Sequence, residues 1–275
     1  MRFYPAAFIS FLSCAATLPL AAQDEADRPY TEDNSILIEE AYNQEFGVVQ
    51  HISTFTFAGP RHRDLAFELT QEWPFATQRD QLSYTIQVLR PDGGSSGMGD
   101  LAFHYRRQFG MNGRPWALAP SISLILPTGD VDAGRGNGSV GVELGLPLSY
   151  TISRDLVTHW NASAEFLPWA RTAGSSDRTL LSGAQLGGSL IGPMRSPVQL
   201  MLESLVTVEQ EFVAPTRTES FTSWILSPAV RVAFNVGGLQ LVPAFAVPMT
   251  WSEGERVTDY ILYFSAEHAF RRIVD

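Results

Sequence analysis

Between Val140 and Ile152 the chain reads V-G-V-E-L-G-L-P-L-S-Y-T-I, with an apolar residue at every second position and only Gly, Glu, Pro, Ser or Thr between them. Strand side chains alternate across a sheet, so such a segment has one oily face and one wettable face. The same stripe returns along most of the chain. In 101–109, Leu101, Phe103, Tyr105 and Phe109 share a face broken only by Arg107, while Asp100, Ala102, His104, Arg106 and Gln108 share the other. A face so charged does not suit the interior of a soluble sandwich. It suits the wet lumen of a barrel whose oily side meets lipid. Soluble strands average about five or six residues, whereas a tilted bilayer crossing takes roughly nine to eleven. Most segments here have the longer length. The pattern predicts an all-β fold, an antiparallel transmembrane outer-membrane β-barrel of about twelve strands.

The candidate strands run from 50–57 to 258–270, separated by clusters of Gly, Pro, Asn, Asp and Ser that favour turns. From the fifth strand onward the connections alternate. Residues 127–139, 170–178 and 211–220 are long, and 153–155, 192–197 and 236–238 are short. Outer-membrane barrels join strands by short periplasmic turns and longer outer loops, so an even strand count places every long connection outside. Trp73, Trp116, Trp169 and Trp251 fall at strand ends and Trp224 near one, as interfacial belts require, with Trp160 deeper. Pro120, Pro147, Pro228, Pro243 and Pro248 fall within predicted strands, where each lacks a ladder donor, so bulges or offset strand ends are expected.

Residues 1–22 have Arg2, an apolar stretch and Leu20-Ala21-Ala22 ahead of acids, the pattern of a secretory signal cleaved after Ala22. No later segment is apolar for long enough to make a membrane-spanning helix. The single cysteine, Cys14, lies in the signal, so the exported chain has neither disulfides nor thiolate metal sites. The formal charge is −10, and much of it lies in 23–50, which holds eight acids against Arg28. The rest has no basic stripe for nucleic acid. The domain reading is therefore a signal (1–22), an acidic N-terminal periplasmic segment or plug (23–49) and a barrel (50–275). If 34–47 fills the barrel, its deletion raises conductance. The chain closes with Tyr260, Leu262, Phe264, Ala266, His268 and Phe270 at a spacing of two, similar to the signal read by barrel-assembly machinery, although the tail 271–275 departs from a terminal aromatic.

Gly97-Met98-Gly99-Asp100-Leu101 opening a strand, then Ser123-Leu124-Ile125-Leu126-Pro127-Thr128-Gly129-Asp130, then a glycine-rich loop into Val140, carry a family resemblance. In order and spacing they resemble the outer-membrane transporter family associated with the meta-cleavage pathway of phenol degradation. The resemblance implies a β-barrel channel in the bacterial outer membrane, in contact with lipid, for small molecules that are often hydrophobic or aromatic.

Taken literally, the alternation sends Glu68, Glu72, Asp100, His104, Arg106, Glu143, His159, Glu165, Glu203, Arg231 and Glu267 into the lumen. A constriction built from Asp100, His104, Arg106, Glu143 and Arg231, with Glu203, would set a field that selects solutes, with a cation preference because acids outnumber bases. The competing reading is a set of salt bridges that only holds the barrel together. The loop from Asp130 begins like a calcium site but has Gly134 at the fifth position and Gly141 at the twelfth, so no metal or other cofactor is expected. His51 with Ser53, and His159 with Asn161 and Ser163, could serve a barrel lipase. Same-face neighbours on a strand stand about 7 Å apart, too far for a catalytic relay, so the chain is read as a non-enzyme. Passive passage of small solutes is the first functional expectation. A sealed structural barrel is the alternative and a lipid-hydrolysing barrel the third.

Overall fold

The computed structural model describes residues 30–31, 35–59, 64–110 and 113–270. The expected signal with Cys14, residues 23–29 and 32–34 of the acidic leader, and the tail 271–275 lie outside the described residues.

All strand segments belong to one sheet, which forms a closed wall of twelve antiparallel strands. β1 (Val48–Phe57), β2 (Leu65–Phe75) and β3 (Thr77–Arg90) open it. β4 is Leu101–Arg107 with the short pieces Gly97–Met98 and Phe109–Gly110. β5 joins Trp116–Leu118 to Ser121–Leu126, and β6 joins Gly141–Gly145 to Leu148–Ser153. β7 (Leu156–Ala170), β8 (Thr179–Gly192) and β9 (Val198–Ala214) are continuous. β10 is Arg217–Val232 with Phe234–Val236, β11 is Leu239–Ala246 with Met249–Ser252, and β12 is Glu255–Thr258 with Tyr260–Ala269. The wall closes where β1 pairs with β12, in unbroken register from Val48↔Ala269 to Phe57↔Tyr260. Closure leaves no free sheet margin to recruit another chain.

The prolines explain the broken strands. Pro120, Pro147 and Pro248 fall in the gaps of β5, β6 and β11, and the ladder passes around them through their carbonyls. Arg107 N donates to Pro120 O (3.1 Å), Ala119 N to Pro147 O (2.9 Å) and Asp259 N to Pro248 O (2.9 Å). Pro228 and Pro243 stay inside strands, opposite Leu202 and Phe264.

At one end of the barrel, the turn end, connections are short: Ala76 alone, 154–155 and 237–238. Chain segments 127–140 and 171–178 project from the other, the loop end. The expected long loop 211–220 is not one. β9 and β10 stay paired through Phe212↔Thr218 and Ala214↔Arg217 and close in a tight hairpin. The polar run that reads as a loop is a strand pair extending past the rest of the wall.

Leu124, Leu144, Leu186, Leu200 and Phe264 lie exposed on the outside, while Ser123, Glu143, Glu203 and Ser265 are buried. Arg107, which interrupts the outward stripe, is neutralised there by Asp80 at 2.7 Å, whose Oδ1 also accepts from the Tyr105 hydroxyl. The interior departs from the uniformly polar lumen that the alternation suggests. Ile36 shares a buried apolar cluster with Ile52, Val157, Ile191, Met201, Ile261 and Tyr263, and a second cluster joins Ala102, Ile125, Leu167, Ala170 and Leu181.

Candidate functional site

Residues 35–47, just before β1, have no helix or strand of their own, and Ile36, Ile38, Glu40, Ala41, Asn43 and Gln44 are fully buried. A buried backbone without secondary structure must find other partners for its polar groups. Here those partners are side chains of the wall. Glu203 Oε1 on β9 accepts three successive N–H groups, from Ile36 (3.1 Å), Leu37 (2.9 Å) and Ile38 (3.1 Å). Asn161 on β7 grips both sides of Glu39, accepting its N–H at 2.5 Å and donating to its carbonyl at 2.7 Å. Ser149 on β6 accepts from Ala41 N (2.8 Å), Gln108 beside β4 from Asn43 N (2.7 Å), and Gln81 and Gln78 on β3 from Gln44 N (2.8 Å) and Phe46 N (2.7 Å). The partners run β9, β7, β6, β4, β3, so the segment passes around the inner wall and then enters β1.

Arg106 is the cationic centre of this arrangement. Its guanidinium donates to Glu40 O (3.0 Å), Tyr42 O (2.6 Å) and Asn43 Oδ1 (3.0 Å), and pairs with Glu39 at 3.2 Å. A planar five-donor fork is suited to collecting carbonyls from a curved backbone. Arg231, fully buried, donates to Gln199 Oε1 (2.7 Å) and reaches Thr31 O at 3.5 Å.

The six residues singled out from the sequence are all buried, but they do not form one ring. Asp100, His104 and Arg106 lie along a single strand line. At about 3.3 Å per residue, the first and last stand roughly 20 Å apart. Asp100 sits at the loop end. His104 meets Thr85 at 3.1 Å, which in turn meets Thr70 at 2.8 Å. Glu143 stands directly opposite Glu165 across the β6–β7 ladder. Glu203 and Arg106 hold the segment itself. The alternation placed Gln108 on the lumen face and Asn161 in a candidate catalytic trio, while Ser149, Gln78 and Gln81 were passed over. Their only signal was an amide or hydroxyl within an alternating strand.

The candidate catalytic trio separates as well. His159 Nδ1 bonds Ser149 Oγ at 2.7 Å, not Ser163, and Ser149 Oγ is already taken as acceptor by Ala41 N. His159 is fully buried beneath the edge of the Tyr42 ring. Among the described residues no group of three or more His, Cys, Asp or Glu is placed to hold a metal ion.

The family described as "Putative MetA-pathway of phenol degradation" matches residues 26–167, just over half of the chain. The chain belongs to this family. Among solved structures, the barrel is similar to an outer membrane channel from Pseudomonas putida F1, with a TM-score of 0.57 and 17% identity over 81% of this chain and 94% of that one. It is also similar to the NanC porin, with a TM-score of 0.51 and 9% identity over 78% of this chain and 98% of that one. At these identities the likeness establishes the fold, an outer-membrane barrel. No curated protein matches the sequence significantly.

In this member of the phenol-degradation family the two quoted motifs meet at Asp100. Its carboxylate accepts from Gly129 N (2.8 Å) and Asn137 N (3.2 Å), while Thr128 Oγ1 donates to Gly99 O (2.9 Å). A Cβ at Gly129 or Gly136 would strike Arg135 O or the Asp100 carboxylate, which is why both positions are glycine. Asp130 caps the short helix Val131–Ala133 and pairs with Arg135. Asp132 pairs with Arg171. The acids of the calcium-like stretch are thus engaged by backbone N–H groups and arginines.

Proposed function

We propose that the barrel is an outer-membrane channel through which small molecules pass down their gradients, and that residues 35–47 are its plug. The observation that carries the reading is the circuit of side-chain bonds holding an unstructured segment across a closed, polar-walled lumen. The apolar contacts of Ile36 add a dry seal at the turn end, since narrow oily constrictions exclude water and ions. A cavity of about 10 Å³ bounded by Glu39, Glu143, Asn161 and Ser163 has room for about one water, so no organic solute fits there while the segment is in place. The same filled interior favours the second reading, a sealed barrel. The family's link to phenol degradation supports small aromatic solutes. The oily outer face would pack against lipid, and the alternating end of β12 would be read by assembly machinery.

Planar-bilayer recording and liposome flux test the proposal on the intact chain and on a chain lacking 35–46. A several-fold rise in single-channel current on deletion is expected. An unchanged current rejects the plug, and absence of flux from both proteins rejects the channel in favour of the sealed barrel.

A further inference from the structure

His51 and His268 face each other on the outside of the barrel, across the seam where β1 and β12 close the wall. The register pairs His51 with Ala266 and His268 with Val49, so the two imidazoles are diagonal neighbours on one face, and the small Ala266 leaves room between them. Their Nε2 atoms are 3.4 Å apart, while the ring centroids are 5.4 Å apart, so the two nitrogens occupy converging edges. That separation is long for an N–H hydrogen bond, which spans about 2.7–3.2 Å. It matches two nitrogens bound at about 2.0–2.1 Å to one tetrahedral ion, which stand about 3.4 Å apart. The tautomer fits too. His268 Nδ1 lies 3.2 Å from Ala269 O, a contact in which only the ring nitrogen can donate, so its Nε2 carries the lone pair. A ligating histidine has this arrangement, one nitrogen oriented by a backbone carbonyl and the other free for the ion.

We infer that His51 and His268 form a two-histidine site for a divalent transition metal, with water completing the coordination. Imidazole pairs suit Zn²⁺, Ni²⁺ and Cu²⁺ and disfavour Mg²⁺ and Ca²⁺. The pair lies near the turn end, close to the start of β1 and the end of β12, where ions from the adjoining aqueous phase can reach it. A bound ion would join the first and last strands and staple the closure. The inference does not depend on whether the barrel conducts.

The test uses detergent-purified protein without a histidine tag. Calorimetric titration with Zn²⁺ is expected to give one ion per chain, and H51Q or H268Q to weaken binding by about tenfold or more. His104 and His159 are enclosed in the lumen, and H62Q, outside the described residues, serves as the control that retains binding. Folding of each variant is checked by its heat-dependent gel mobility. Cu²⁺ supplies a readout on the unmodified protein, because its paramagnetic resonance spectrum should show splitting from two nitrogens. No Zn²⁺ binding, equal binding by the folded H51Q/H268Q double variant, or a Cu²⁺ spectrum without two-nitrogen splitting would overturn the site.

Discussion

Glu203 shows how much one side chain can organise. A single carboxylate oxygen satisfies three consecutive backbone donors, and leaving a buried donor unmet costs about 1–3 kcal/mol. With Glu203→Leu, keeping the segment in place becomes costlier. The expected result is new protease cleavage within 35–47 together with higher conductance, whereas Glu203→Gln, which keeps an acceptor oxygen, is milder. Equal protease resistance in wild type and Glu203→Leu would contradict this role. Arg106→Leu should act similarly, since four contacts to the segment are lost at once. Glu203 and Arg106 were legible as inward-facing charges because charge stands out in an alternating strand. Gln78 and Gln81 were not, and Gln108 was legible as inward-facing but not as a partner of the segment. An amide is equally at home on a surface, and only the proximity of an unpaired backbone gives it a task.

At the level of elements, the loop-end connection 127–140 is tied to 171–175 through Asp132. Arg171 donates to its two oxygens at 3.0 and 3.2 Å and Gly174 N at 2.9 Å, and these bonds hold the Asp132 carboxyl below the usual carboxylate range. A depressed acid contributes its stabilisation above the ordinary value and loses it as pH falls through the depressed one. The protection of amides in 171–175 from exchange, taken relative to the intrinsic rate at each pH, should therefore be flat from about pH 5 to pH 9 and fall below roughly pH 4. A fall in protection beginning near neutrality would point to a different group. Most strands could be read from the sequence because the period of two is enforced by lipid on one side and polar contacts on the other. The stretch 211–220 could not, since beyond the membrane nothing demands oily residues outside and a strand pair looks like a loop. β1 was faint for the opposite reason. Its inner face holds Ile52 beside Gln50, because Ile52 meets Ile36 and not water.

For the whole molecule, the ladder closes through β1 and β12 with no help from the inner segment. A chain lacking 35–46 should still fold and keep its heat-dependent gel mobility. Loss of that shift would mean that the wall needs its contents in order to close. The barrel itself was legible because closure follows from strand number, length and parity, which the chain displays openly. The circuit inside was not, since it depends on which strand each lumen side chain comes from, and that emerges only when the wall has curled.

Tyr30 donates its N–H to Met194 O at 3.0 Å and its carbonyl accepts from Gln240 at 3.2 Å, both beside turn-end connections, and the inner segment returns to the same end to become β1. It is thus a bight laid into the barrel from one mouth, never threaded through it. Traction toward the turn end can draw it out without severing a single rung of the ladder. Pressure from that same mouth can only drive it deeper and tighten the tether to Val48, so the segment releases in one direction.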